Sequence, residues 1–500
     1  MLSLFQSKEK KAGGQGKTSF QPPKPDLSRF PFPTKAFIGG TFVDSTGSEK
    51  HTLKSAVNDS IITTELQWSN AKDVDAAVDA AEEGFAKWQA MSDRERRDAL
   101  LKYAALIREN SERIQWLEAV LVGKEASFSS YELDLAAEVF IYFANMIDKF
   151  SSEVIKSNDN VLTPWGVCAG ICPFNAPVGT FAMKVAPALA CGNSIVIKTS
   201  ETNPFSTIFV ASLANEAGIP AGTINCLTGG AEAGDALASH MKIRKISFTG
   251  SVAVGKLVYS AAARSNLKSV TMELGGKSPH IVFPDADLDK AIPAAAMFLA
   301  LNGQGCSLGT RLYLHESIAD AFIAKLVPIV EGHAKVLGGD PTSADTRGSP
   351  LYNHRQRDSV LSHIESGTKE ATLITGGHAL GENSCYVEPT IFVDPKPGAQ
   401  IHREEIFGPV LVIVKFSSEE EVLKLANDTE FGLASYVWTA DIQRALRLSR
   451  KLEAGSVSIN GAGGMNVQTP YGGWKQSGRG LENGVAAMED WTQSKTVSLG

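Results

Sequence analysis

Three short segments carry side chains able to do covalent chemistry. The first is Gly303-Gln-Gly-Cys306-Ser-Leu-Gly-Thr-Arg311. A thiol flanked by glycines and small residues is reachable by a small molecule, and its thiolate is the reactive form. The second is Thr271-Met-Glu273-Leu-Gly-Gly-Lys277, where a carboxylate beside Gly275 and Gly276 is placed to activate water. The third is Ile171-Cys-Pro-Phe-Asn175-Ala-Pro177. An amide held between two prolines offers a fixed N–H to a developing oxyanion. Each segment has a plainer reading. Most cysteines are packing residues, Glu273 is equally a carboxylate before a turn, and Asn175 is equally an Asx-turn residue.

Two further segments suit a nucleotide. The G-x-G-x-x-G fingerprint is missing from any strand-to-helix context. Instead, the apolar run Lys245–Thr249 leads into Gly250-Ser251 and a helical stretch from Val254, with Gly255 inside it. A Gly–Ser turn at a helix start exposes N–H donors to a phosphate. Gly250-x-x-x-x-Gly255-Lys256 falls short of a P-loop because Leu257 stands where Mg²⁺ needs a hydroxyl. The second is Ile195-Val-Ile-Lys198-Thr-Ser-Glu201, a strand ending in a lysine with an acid following. Ligands bind at the carboxyl ends of parallel strands. A carboxylate there accepts from a ribose diol and repels a 2′-phosphate, which favours NAD over NADP. The plain alternatives are an ordinary strand–helix turn and a solvated strand end.

Taken together, P-F-N-x-P, K-x-x-E, F-T-G-S-x-x-x-G, E-L-G-G-K, G-Q-x-C, Glu404-Glu-Ile-Phe-Gly-Pro-Val410 and Pro470-Tyr-Gly-Gly-Trp-Lys-Gln-Ser-Gly478 resemble, in order, the aldehyde dehydrogenase superfamily. The likeness runs from about Phe37 to Val497. It implies that Cys306 attacks an aldehyde carbon while the Asn175 amide and the Cys306 N–H hold the oxyanion. Hydride then leaves to NAD, with NADP possible, and Glu273 activates the water that releases the acid. Covalent attachment splits one hard step into easier ones. The resemblance also places Lys198 and Glu201 at the adenosine ribose, and Gly250, Ser251 and Gly255 at the pyrophosphate. Glu405 falls at the nicotinamide ribose, with Phe174, Leu274 and Phe407 beside the cofactor. Lys184 and Glu482 match positions proposed for proton handling.

In relatives, the residues around Asn175 and Cys306 line the substrate tunnel. Here these are Ala176, Thr180, Met183, Ala300 and Leu301, with Met465 and Tyr471 expected in the outer wall. Small groups at several of these places imply a roomy apolar tunnel for a medium or bulky aldehyde, aliphatic or aromatic. Relatives acting on succinate semialdehyde carry an arginine where Ala300 and Leu301 stand. Those acting on betaine aldehyde carry a cage aromatic where Met183 stands. Three rivals are weighed. CoA-acylating relatives generally lack the water-activating glutamate, which is present here. A structural or binding protein on the same fold need not keep the catalytic set. Ester hydrolysis by the same cysteine needs no cofactor.

The elements that must position these groups follow from periodicity. A length of 500 residues exceeds one hydrophobic core, so separate lobes are expected. Helical patterns fill 72–120, with a fresh start at Ser92-Asp93, and continue from Ser130 to Lys149. From Trp165, short apolar runs alternate with helical stretches, which signals parallel βαβ units. The expected architecture is α/β: a doubly wound cofactor-binding domain (35–149 and 165–275), an α/β catalytic domain (276–475) and a small β-strand oligomerisation arm (150–164 and 476–500). Proline- and lysine-rich residues 1–34 read as a flexible tail. Exposed strand edges invite pairing, and the resemblance implies a homodimer or homotetramer.

Composition narrows the class. Net charge is −7 with 21% charged residues, giving no electrostatic footprint for nucleic acid or acidic lipid. Six scattered cysteines suit a reducing compartment. Cys168 and Cys172 lack a partner pair, and no H-E-x-x-H occurs, so no metal site is read. No apolar run reaches membrane-spanning length. The first residues match neither a signal peptide nor an arginine-rich presequence, so a cytoplasmic enzyme is expected.

Overall fold

The structure is a computed structural model that describes residues 20–149 and 160–496. The expected tail at 1–19 and the stretches 150–159 and 497–500 of the expected arm lie outside the described residues.

Chemistry-bearing segments hang from two sheets. In the first, of eight strands, the parallel core runs 224–227, 194–198, 167–171, 245–249 and 269–273 across the sheet. Chain order reverses between 167–171 and 245–249, which makes that gap the switch point of a doubly wound sheet. Strands Val167–Ile171 and Ser194–Lys198 are buried at every position, as strands covered on both faces must be. Side chains alternate between the two faces: Ile195 and Ile197 enter one core with Tyr103, Phe140 and Phe181, while Val196 enters another with Val74, Leu237 and Val258.

Helix starts are written locally. Asn70 and Asp73 form a capping box opening Ala71–Ala90, and Ser92 with Glu95 does the same for Asp93–Glu109. The helix expected from Ser130 begins earlier, at Ala126, and ends at Ala144.

The second sheet has seven strands, in the order 372–375, 390–393, 410–416, 311–315, 279–282, 434–438 and 456–459. All its pairings are parallel except that of 372–375. Chain passes from the first sheet to the second through Leu274–Ser278, so Glu273 ends one layer just before Pro279–Val282 starts the other.

Two expectations change. The reading of 1–34 as one flexible tail gives way for residues 20–34, because aromatic burial outweighs the local prolines. Phe30 and Phe32 pack on Trp116, and Phe20 meets Tyr386 edge-on. Within the expected arm segment 476–500, the described residues 476–496 do not form one arm. Residues 478–479 add an antiparallel strand beside 269–273, and helix Gly484–Asp490 packs on helix Pro177–Ala190. Only Thr492–Thr496 pairs with Asn160–Pro164. No described helix is long and apolar enough to cross a membrane.

Candidate active site

Cys306 sits on a loop whose backbone is held in sparsely populated conformations. Leu301, Asn302 and Gly303 all have positive φ, at 49°, 53° and 81°. Such strain persists only where neighbours over-determine the shape, and here Gln304 supplies them. Its Nε2 donates to the carbonyls of Leu301 and Pro350 at 2.8 Å each, and its Oε1 accepts from Tyr352 N at 3.0 Å. Asn175 Nδ2 donates to the Gln304 carbonyl at 2.8 Å. One of its two amide hydrogens is therefore used for placement, and among the described residues the second has no side-chain or backbone acceptor. On the far side of the cysteine, Tyr436 Oη donates to the Ser307 carbonyl at 2.8 Å. The sulfur itself lies 3.8 Å from Tyr471 Oη. Burial, then the Glu405 and Glu273 carboxylates, push the thiol up to about 12, so the resting group is S–H.

Glu273 ends strand Ser269–Glu273 and is 4% exposed, yet neither carboxylate oxygen has a hydrogen-bond partner. Burial and repulsion from Glu482 drive its pKa well above the usual carboxylate range. A buried acid kept basic by its surroundings suits proton transfer. Glu405 reaches the same spot from the loop before strand Val410–Phe416. Its Oε1 accepts from Gly276 N at 3.0 Å, and burial raises it to about 7. A Cβ on Gly276 would collide with the Cys306 carbonyl oxygen, and one on Gly275 with Glu405. The two glycines thus let Cys306 and Glu405 close around the chain that follows Glu273.

Lys184, on helix Pro177–Ala190, is fully buried and spends all three donors. They reach Glu482 Oε1 at 2.7 Å, Thr249 Oγ1 at 2.8 Å and Ser247 Oγ at 3.0 Å. The structure joins Lys184 and Glu482 beside Glu273, whose pKa both of them influence.

The residues expected at a dinucleotide lie along the carboxyl ends of the first sheet. Lys198 and Thr249 end their strands on either side of the switch-point strand 167–171. Ser251 is the exposed N-cap of Val252–Arg264, whose first-turn N–H groups lack intrahelical acceptors. Gly255 has a packing role, since a Cβ there would press 2.7 Å from Leu274. Glu201 is half exposed, 3.8 Å from Lys198 Nζ; burial lowers the lysine's pKa and the carboxylate opposes that shift. Phe407 has φ +52° and is held by Gln356 Nε2 at 2.9 Å from its carbonyl; its ring meets Phe174 edge-on at 6.0 Å. Free N–H groups at a helix start, a half-exposed acid near Lys198 and a pair of aromatic rings fit an NAD-type cofactor.

Two positions beside the site were given no role from the sequence. Tyr352 packs its ring 3.9 Å from Phe174, and no motif covers it. Lys277 is buried with an unpartnered Nζ, and burial brings it down to about 7. It shares a cavity with Glu405 and Phe407. Leu301 lines a second cavity with Phe174, Asn175, Gln304 and Tyr352, while Ala176 and Ala300 are half-buried nearby in sequence. Thr180 Oγ1 is tied to the Ala176 carbonyl at 2.8 Å. Met183, expected in the tunnel, is withdrawn into the core that also holds Phe181. Met465 lies farther out, its N–H 3.4 Å from Tyr131 Oη. Tyr471 stands beside the sulfur instead of in an outer wall, because its backbone pairs with Glu482.

Comparison with known proteins gives the same picture. The model of the aldehyde dehydrogenase family matches residues 42–497. Aldehyde dehydrogenase 1 of Tanacetum cinerariifolium is 44% identical over 93% of this chain and 95% of its own. An indole-3-acetaldehyde dehydrogenase solved with NAD+ superposes with a TM-score of 0.90 at 36% identity, covering 94% of this chain and 97% of that one. A γ-glutamyl-γ-aminobutyraldehyde dehydrogenase from Burkholderia cenocepacia gives 0.89 at 39% identity with the same coverage. The chain belongs to the aldehyde dehydrogenase family.

Proposed function

We propose that this chain oxidises a medium or bulky apolar aldehyde to its carboxylic acid, with Cys306 as nucleophile, Glu273 as general base and NAD as cofactor. The observation that carries the reading is the closure of Cys306, Glu273 and Glu405 around Gly275–Gly276, beside the switch-point cleft.

Glu273, as carboxylate, takes the thiol proton, and Cys306 Sγ bonds to the carbonyl carbon. The negative oxygen meets the free amide hydrogen of Asn175. NAD, when bound, supplies the hydride acceptor that turns the thiohemiacetal into a thioester. Glu273 passes the first proton on to solvent, then takes a proton from water, and hydroxide displaces Cys306. A basic carboxylate without fixed partners can pick up and release that proton with little reorganisation. Lys184 and Glu482 hold the floor behind it and offer an exit for the proton.

Glu201 favours NAD over NADP, since a 2′-phosphate would face its carboxylate. Leu301, Phe174 and Tyr352 supply apolar walls for the substrate. Subunits pair as a homodimer or homotetramer. Val254 and Leu257 on helix Val252–Arg264 are exposed apolar groups, and strand Ser456–Ile459 is an unpaired sheet edge. Six free cysteines suit a cytoplasmic, reducing location.

The test is a panel of aldehydes assayed with NAD and with NADP, with and without CoA, following reduced nicotinamide and the acid product. Acid formed from apolar aldehydes without CoA supports the proposal. Activity confined to succinate semialdehyde or betaine aldehyde, or acyl-CoA as sole product, refutes it.

A further inference from the structure

The surroundings of Cys306 pose a chemical problem. Cys306 is half-buried, and the carboxylates facing it, Glu405 from the loop before Val410–Phe416 and Glu273 from the end of Ser269–Glu273, both disfavour a second negative charge. Neither Lys184 nor Lys277 is aimed at it. Lys184 is spent on Ser247, Thr249 and Glu482, and Lys277 opens into the cavity behind Gly276. Tyr436 approaches from strand Ala434–Trp438, but its hydroxyl is committed to the Ser307 carbonyl. Among the described residues, the hydrogen-bonding side chain that meets the sulfur is Tyr471, with Oη at 3.8 Å.

We propose that Tyr471 is a catalytic residue whose phenol donates a hydrogen bond to Cys306 Sγ and stabilises the thiolate. The proposal rests on Cys306 being the nucleophile, as argued above. In the step concerned, the S–H bond breaks and the proton goes to a Glu273 oxygen. The electron pair stays on sulfur, and the phenol keeps its own proton while donating to the thiolate. Nothing is oxidised or reduced.

Two structural facts support this role. The ring is mounted rigidly: Tyr471 N donates to the Glu482 carbonyl and Glu482 N to the Tyr471 carbonyl, each at 2.7 Å. Glu482 is itself anchored by Lys184. Moreover, the phenol cannot become a competing anion. Burial, together with the negative potential of Cys306 and Glu273, holds its pKa well above the ordinary range, so near neutral pH it is a donor that keeps its hydrogen. A hydrogen bond to a charged group is worth more than one to a neutral group, so the bond strengthens as sulfur ionises.

The test measures the thiol directly, without substrate or cofactor. Iodoacetamide labelling of Cys306 is followed by peptide mass spectrometry from pH 6 to 10, in the unaltered full chain and in Tyr471→Phe. With the thiol held up near 12, this range covers the rising limb, and the expected result is labelling slowed roughly tenfold in Tyr471→Phe at each pH. Coincident profiles, or faster labelling in the variant, overturn the Tyr471 assignment alone. A Cys306 that stays unlabelled in the native chain but labels on unfolding overturns the nucleophile reading with it. Should Tyr471→Phe fail to fold, 3,5-difluorotyrosine at 471 keeps the shape and strengthens the donor. Labelling then quickens at each pH, and an unchanged rate overturns the proposal.

Discussion

Glu273 and Glu482 are buried carboxylates in the same pocket, and their surroundings are opposite. Glu482 is met by Lys184 and Ser247, with its backbone pinned to Tyr471. Glu273, on the reacting side, has two oxygens and no partner, and faces a protonated thiol. The saturated group holds the pocket in shape. The unsatisfied group is costly to bury, and that cost keeps it basic enough to move protons. The contrast separates a carboxylate saturated by partners from one left without any, although both are the same amino acid at similar burial.

Substitutions can break this comparison, and the largest effect is expected at the sulfur. Cys306→Ala should lower aldehyde oxidation by about four orders of magnitude and leave the melting temperature nearly unchanged, measured by steady-state assay and calorimetry. A comparable loss of stability would mean that the loop is structural. Lys184→Met should do the reverse. It strands the Glu482 charge, costing about 3–5 kcal/mol of stability, read as a large drop in denaturation midpoint.

Glu273→Gln should slow thioester release about a hundredfold or more. Rapid mixing should then show reduced nicotinamide appearing slowly from the first turnover, without a burst, because the thiol has lost the same base. The same variant gives a pH test. The folded-state pKa of Glu273 is raised, so its contribution to stability is present at low pH and is lost as pH climbs towards that raised value. The amide does not titrate. The variant should therefore melt close to the unaltered chain near pH 4 and progressively above it as pH rises. A gap independent of pH would show that the carboxyl is unperturbed. The smallest effect is expected from Gln304→Ala, which frees the Leu301–Tyr352 framework. It should reduce kcat/KM roughly tenfold through misplacement of the cysteine with a minor change in melting.

Much of the fold was legible because its signals are local. The helix start at Ser92 and the alternation from Val167 onward depend on neighbours along the chain. The boundary errors came from long-range burial. The prolines before Lys35 speak for a loose tail, but Trp116, far along the chain, collects Phe30 and Phe32. Tyr352 went unnoticed because nothing near it in sequence marks it. It gains meaning only from stacking on Phe174.

The residue types and spacing settled which groups could react: a thiol among glycines, an acid before Gly275-Gly276, an amide between prolines. Those are properties of short stretches, and covalent chemistry needs particular atoms. Sequence could not say which of two buried carboxylates would be left unpaired, or that a phenol would point at the sulfur. Those outcomes depend on where two sheets and a returning C-terminal segment bring distant atoms within a few ångströms. Desolvation and hydrogen bonding, which set reactivity, act across space and not along the chain.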